Sequence, residues 1–480
     1  MKAIKYLILG ALTLSFAAPA QAQEESPVET VKSLIESNAP DAEKQIKAIY
    51  KKNKKNGEVI VGIARAYYEA KDTANARTYA EFATKLNYGP AYIVLGDIAA
   101  LADDGGGAAR MYDQAIYFAP KDPAAYYKYA TVYRKVHLES AISKLDDLGV
   151  QRPDMVASGE INVLKGRVYD LANKVELAAE TYNQVPLDRM EDRDVVSAAR
   201  ANFLLGNYKK SQEIIDFALQ KNPRKFTYNQ MGLFNYVQLK EYDKALEYAD
   251  RMLNQSDSVK MNPEIYGVYA NALNGAKKYD EAIDAYQKAL TMDFDSQDKK
   301  AGLIKEMSKA YVEQKNFEKA IECFKKYMET LSQTSLDDYE DLGKYYELYA
   351  KTFEDAEQRK AQFTEADKVY EEGIQKFPKS EQFLLYKRAL VNTQIDPETT
   401  EGLAKPHFER LIELVTANAE LNAGHKMILK RSYHYMAAYN FLLAKNYEEA
   451  LNYAQKLLEL DPENVAGKAI LENAGQLIKK

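Results

Sequence analysis

Tryptophan is absent from the 480 residues and cysteine occurs once, so neither a few large aromatic anchors nor an internal disulfide organises this chain. Stability has to come from repeated packing of smaller groups. The single thiol, Cys323, sits between Glu322 and Phe324 in a helical pattern with no histidine beside it, which describes a packed thiol rather than a nucleophile. Glycine and proline, at 22 and 14, are too few for a collagen-like or low-complexity chain. Histidine is also scarce: His137, His407, His425 and His434 show no metal-ligand spacing, and neither HExxH nor a nucleophile elbow occurs. No catalytic residue, metal site or cofactor is therefore assigned, and the expectation is a protein that is not an enzyme. The pair Asp337 and Asp338 follows Ser335 and is expected to cap a helix. Asp103 and Asp104 followed by Gly105, Gly106 and Gly107 are expected to form a turn within one helical hairpin; no strand precedes them, as a phosphate loop would require.

Long apolar runs are missing as well. The stretch 6–18 has 13 residues, short of the roughly 20 that span a bilayer. It follows Lys2 and Lys5 and precedes Ala20, Gln21 and Ala22, the small-x-small pattern of a cleaved export leader. The expected mature chain begins at Gln23 and is soluble in the periplasm or cell envelope. No cysteine stands at the cleavage point to carry a lipid. The formal charge is −6, or −8 once the two leader lysines are subtracted, which argues against nucleic acid as a partner. The basic run at 51–55 is expected to be a solvated turn between hairpins.

What the chain does have is repetition, together with 37 tyrosines. In Tyr279, Ala282, Tyr286 and Ala289 an aromatic precedes a small residue by three, a second aromatic follows by four and a second small residue by three more. Those spacings share one helix face. The frame recurs at Phe317, Ala320, Phe324 and Tyr327, and at Tyr447, Ala450, Ala454 and Leu457. The small residue opening this helix can be followed through Ala42, Ala76, Ala108, Ala141, Ala178, Ser211, Ala245, Ala282, Ala320, Ala366, Ala404 and Ala450, at intervals of 32 to 46 residues. Each interval holds one helix pair and its turns. Pro120, Pro153, Pro223, Pro378 and Pro462 each lie 12 residues after such an anchor, where proline ends a helix. The two 46-residue intervals, ending at Ala366 and Ala450, predict lengthened helices.

In these spacings, and in endings such as Asp461, Pro462, Glu463 and Asn464, the chain resembles the tetratricopeptide-repeat family over nearly its whole mature length, most closely at 209–326 and in the final repeat. The resemblance implies an all-α, right-handed superhelical solenoid of about twelve helical hairpins, whose inner groove receives a protein or peptide segment. The expected organisation is a leader at 1–22, an N-terminal and central array at 23–335, and a C-terminal array at 336–480 with two lengthened repeats and a capping helix.

Within the family the residue 11 before each anchor lies on the first helix and faces the groove. Here those positions include Arg65, Arg167, Arg200, Asn271 and Lys309, with Lys305 one turn before Lys309. As a strip these side chains would bind an acidic or polar peptide in a salt-sensitive way. The opposing expectation is that each cation pairs with a neighbouring Asp or Glu. Gly267 stands one turn before Asn271, where the family's carboxylate clamp has a lysine, so recognition of a free C-terminus is not expected. The leading expectation is an exported scaffold for a protein or peptide; the alternative is an envelope protein capturing a small molecule such as a glycan or lipid.

Overall fold

The computed structural model describes residues 26–479, and the leader and its cleavage point lie outside them. The described residues form helices and turns, without a strand. Two compact units divide within one helix, at Phe217 and Ala218. The boundary expected at 335 falls inside the second unit.

The first unit contains α1 (Pro27–Glu36), α2 (Ala42–Lys52), α3 (Gly57–Glu69), α4 (Thr73–Thr84), α5 (Gly89–Leu101), α6 (Gly105–Phe118), α7 (Pro123–Tyr133), α8 (Leu138–Gln151), α9 (Pro153–Ser158), α10 (Glu160–Leu171), α11 (Val175–Asn183) and α12 (Asp192–Leu204). The division lies in α13 (Tyr208–Lys221). The second unit continues with α14 (Phe226–Gln238), α15 (Tyr242–Asp250), α16 (Pro263–Gly275), α17 (Tyr279–Leu290), α18 (Gln297–Glu313), α19 (Phe317–Thr330) and α20 (Leu336–Ala350). It ends with α21 (Ala356–Lys376), α22 (Glu381–Ile395), α23 (Lys405–Thr416), α24 (Ala423–Leu442), α25 (Tyr447–Leu460) and α26 (Val465–Ile478).

Each unit is a run of helical hairpins, as the repeat pattern implies. The anchors explain how the helices approach. Eleven of the twelve, all except the half-buried Ala42, are fully buried. A side chain no larger than a methyl or hydroxymethyl group lets two helix backbones close on each other. The aromatic four residues after the anchor then crosses to the first helix of its own hairpin. Tyr112 lies on Gly96, where an added Cβ would come within 2.4 Å of the ring, and Tyr182 lies on Gly166, where it would come within 2.7 Å. Burying each ring contributes on the order of 2 kcal/mol. Tyrosine is abundant because this pocket recurs.

Helix termination is equally regular. Five residues before the anchor, the backbone enters the left-handed region at Lys71, Asp103, Asn173, Gly206, Lys240, Lys277, Lys315 and Lys445. That residue closes the first helix and reverses the chain. In several hairpins an Asp or Asn then caps the second helix, as Asp72, Asp104, Asn316 and Asn446 do through their side chains. This corrects the expected glycine turn. Asp103 makes the turn, Asp104 accepts from the Gly107 N–H at 2.7 Å, and the three glycines form the first turn of α6.

Both 46-residue intervals carry long helices: α21 has 21 residues and α24 has 20. Pro406 is accommodated in the first turn of α23, where its missing N–H has no intrahelical partner to lose. Asp338 caps α20, with its Oδ2 accepting from the Ser335 N–H at 2.8 Å.

Candidate binding faces

In each unit consecutive first helices pack against one another. In the first unit the order is α1, α3, α5, α7, α10 and α12; in the second, α14, α16 and α18 follow the same rule. Side chains 11 before the anchors lie on these helices.

In the first unit, Arg65 is exposed and makes no ion pair or side-chain hydrogen bond among the described residues. Arg167 is engaged. Its Nε and one terminal nitrogen grip both oxygens of Asp194 at 2.6 Å, with Glu191 at 3.3 Å. The Arg167 side chain is 15% exposed and that of Asp194 is 2% exposed, so the fork is a nearly buried pair linking α10 to α12. Burial lowers the guanidinium pKa, but the Asp194 hydrogen bonds and charge outweigh it and the net shift is upward. Arg200 returns the link, donating from one terminal nitrogen to both oxygens of Asp170 at 2.6 Å. Half of its side chain remains exposed.

In the second unit, Asn271 accepts from the Tyr286 hydroxyl through Oδ1. Lys305 reaches Asp338 at 3.0 Å and Asp341 at 3.4 Å, and lies over the rings of Phe324 and Tyr327. Lys309 pairs locally with Glu306 at 2.7 Å. Of the five candidate cations, four are thus held by carboxylates. The pairing expectation describes them, and Arg65 alone presents its whole donor set.

A carboxylate occupies the same frame. Asp97, 11 before Ala108, accepts from the Tyr112 hydroxyl at 2.8 Å and from Lys128 of the next first helix at 2.7 Å. A sequence search restricted to cations passes over it. Its position in the repeat is the signal that finds it.

Among the described residues no three His, Cys, Asp or Glu side chains are placed to hold a metal ion. His137 caps α8, accepting from the Ser140 N–H. Burial and nearby Arg388 push the His407 pKa down; burial and Arg431 do the same to His434. The Cys323 thiol is buried, donates to the Ile304 carbonyl and is pushed up to about 12 by that burial. The clefts are open. One of about 420 Å³ is lined by Asn262, Glu264, Asp293, Asp295, Lys299 and Leu303, a rim of mixed charge. No helix among the described residues is long and apolar enough to cross a membrane.

Comparison with known proteins places the repeat pattern. Models of the tetratricopeptide repeat match residues 235–299, and 306–330 and 432–464. Among solved structures, the C-terminal part of a tetratricopeptide-repeat protein from Cytophaga hutchinsonii is 21% identical, with a TM-score of 0.47, covering 57% of this chain and 99% of that one. A tetratricopeptide-repeat protein from Parabacteroides merdae is 17% identical, with a TM-score of 0.34, covering 50% of this chain and 94% of that one. No curated protein matches the sequence.

Proposed function

Since the chain is built from tetratricopeptide repeats, we propose that it is an exported scaffold that binds a protein or peptide partner along the first-helix faces of its units and performs no chemistry of its own. Protein interaction is the general role of this fold. The observation that carries the finer reading is preorganisation. Ion pairs such as Arg167 with Asp194 and Arg200 with Asp170 fix neighbouring first helices to each other, so a partner meets a face whose side chains are already ordered.

The partner's character follows from the donors left over. Arg65 is unengaged, and Arg200 commits one terminal nitrogen to Asp170 and leaves its remaining N–H groups toward solvent. A peptide with acidic or polar side chains fits these donors, and its binding would weaken with salt because exposed charges are screened within about 10 Å at 0.1 M. Export is inferred from the leader pattern, with Gln23 as the new N-terminus and the periplasm or envelope as the destination.

The test is affinity capture from an envelope fraction with wild type and with Arg65→Glu/Arg200→Glu. The expected result is loss of the partner at unchanged helical signal. Equal retention at low salt would place the partner elsewhere. Mass spectrometry of protein from the native host checks export, and recovery of the full-length chain in the cytosol would refute it.

A further inference from the structure

The lengthened hairpin ending at Ala450 carries a charge pattern found on no face described above. Its first helix, α24, has 20 residues against 14 in its partner α25, so it is longer than the helix it pairs with. It holds Lys426, Lys430 and Arg431 and contains no Asp or Glu at all, within a chain whose formal charge is −6. Ile428, Leu429, Ser432 and Tyr433 form the buried side of this half of the helix. The other side presents Lys426 and Lys430, four apart, beside Met427 and Arg431, also four apart. Lys426, Met427 and Arg431 are exposed and Lys430 is half-buried.

None of the three cations makes an ion pair or side-chain hydrogen bond among the described residues. Neighbouring helices behave differently: Lys405 pairs with Glu409, Arg410 with Glu381 and Glu413, and Lys468 with Glu463. The arrangement is unfavourable for the helix itself. Lys426 and Lys430, like charges four residues apart, repel, and Lys426, the fourth residue of α24, stands near the positive end of the helix dipole. Local stability therefore gives no reason for the cluster, and an external anion would relieve both effects.

We infer that this face of α24 docks an acidic segment of a partner protein, with Arg431 forking one carboxylate, Lys426 and Lys430 meeting others, and Met427 covering the segment's aliphatic stems. Residues 426 to 431 span about 7.5 Å of helix axis, which matches two or three successive acidic residues in extended chain. The size argues against a polyanion or a membrane. A nucleic acid gains affinity by neutralising many phosphates, and a lipid surface needs more than one exposed apolar side chain. The inference rests on the protein-binding reading but uses a separate face.

The experiment is titration of the purified chain with amidated hexaglutamate and hexaglutamine peptides at low salt. Hexaglutamate should bind and hexaglutamine should not. Lys426→Glu/Lys430→Glu/Arg431→Glu should weaken hexaglutamate by at least about tenfold, while Lys277→Glu/Lys288→Glu/Lys315→Glu, with the same net charge, should change it by less than about twofold. Lys430→Arg/Arg431→Lys should retain binding. Helical signal is checked for every variant. The inference is overturned if the two triple variants lose affinity equally, if hexaglutamine binds as well, if hexaglutamate does not bind, or if phosphatidylglycerol vesicles are held through the same three residues. Any of these with envelope capture still dependent on Arg65 and Arg200 refutes the α24 surface and leaves the reading of the Arg65 and Arg200 face standing. Loss of that dependence with hexaglutamate still bound through α24 does the reverse.

Discussion

Replacing Asp194 with alanine tests whether the Arg167 pair holds two repeats together. The substitution removes both acceptors of the fork and leaves a guanidinium whose side chain is 85% buried, taking 15% exposure from the whole. Breaking a buried pair from one side costs about 3–5 kcal/mol, because the surviving charge stays desolvated and unpaired. Two features reduce this. Part of Arg167 is open to water, and Glu191, exposed and 3.3 Å away, can take up one terminal nitrogen. An expected cost of about 2–4 kcal/mol follows, and at roughly 2–4 °C per kcal/mol for a unit of 150–250 residues the first transition should fall by about 4–16 °C. The assay is thermal and urea unfolding followed by circular dichroism, with Glu191→Ala alongside. Arg167→Met/Asp194→Ala closes the cycle: removing both charges should recover most of the loss, since no unpaired ion remains. A cost below about 1 kcal/mol for Asp194→Ala, or one equal to that of Glu191→Ala, would refute the view that this fork is structural.

Other perturbations separate packing from surface effects. Ala282→Leu should overpack a fully buried helix crossing and cost about 1–3 kcal/mol, whereas Lys288→Glu, exposed, should cost under about 0.5 in the same urea series. Burial pushes the Asp338 carboxyl up, but hydrogen bonds from Tyr327, Ser335 and Lys305 outweigh it and hold the group below the usual carboxylate range. With the folded value depressed, its stabilisation is complete above the unfolded value of about 3.9 and is lost as pH falls through the folded value; Asp338→Asn should remove that part of the acid limb in urea midpoints. Cys323 should resist a thiol-specific chromophore at about pH 8 until the second unit unfolds; rapid labelling of the native chain would contradict the buried, raised-pKa thiol.

The fold was legible because its constraint is steric and repeats. A small residue at a helix crossing leaves a mark every 32 to 46 residues, and eleven of twelve such marks are fully buried. The turns were harder to see. Only Gly206 among the eight left-handed turn residues is the glycine that such a backbone favours; Lys, Asn and Asp fill the others, so composition gave no sign of them. The same blindness misplaced Gly105, Gly106 and Gly107, whose glycine content suggested a turn one step late.

The candidate cations were legible in position and not in pairing state, and the reason is a distance in sequence. Lys309 pairs within its own helix, three residues from Glu306, but the other carboxylates lie about one repeat away, on the adjoining first helix: 27 residues for Arg167 and Asp194, 30 for Arg200 and Asp170, and 33 for Lys305 and Asp338, with 31 for Lys128 and Asp97 in the same frame. A search for neighbouring charge along the chain misses them, while a search at the repeat length finds all four. Applied to α24, the same search returns Asp396, Glu398, Glu401, Glu459, Asp461 and Glu463, and none of them pairs with Lys426, Lys430 or Arg431. Asp396 lies 30 residues before Lys426, yet its oxygens accept the backbone N–H groups of Thr400, Glu401 and Gly402. Glu463 lies 32 residues after Arg431 and pairs with Lys468 instead. A cation paired with a carboxylate one repeat away belongs to the repeat frame; a cluster that no repeat-spaced acid reaches keeps its charge for a partner.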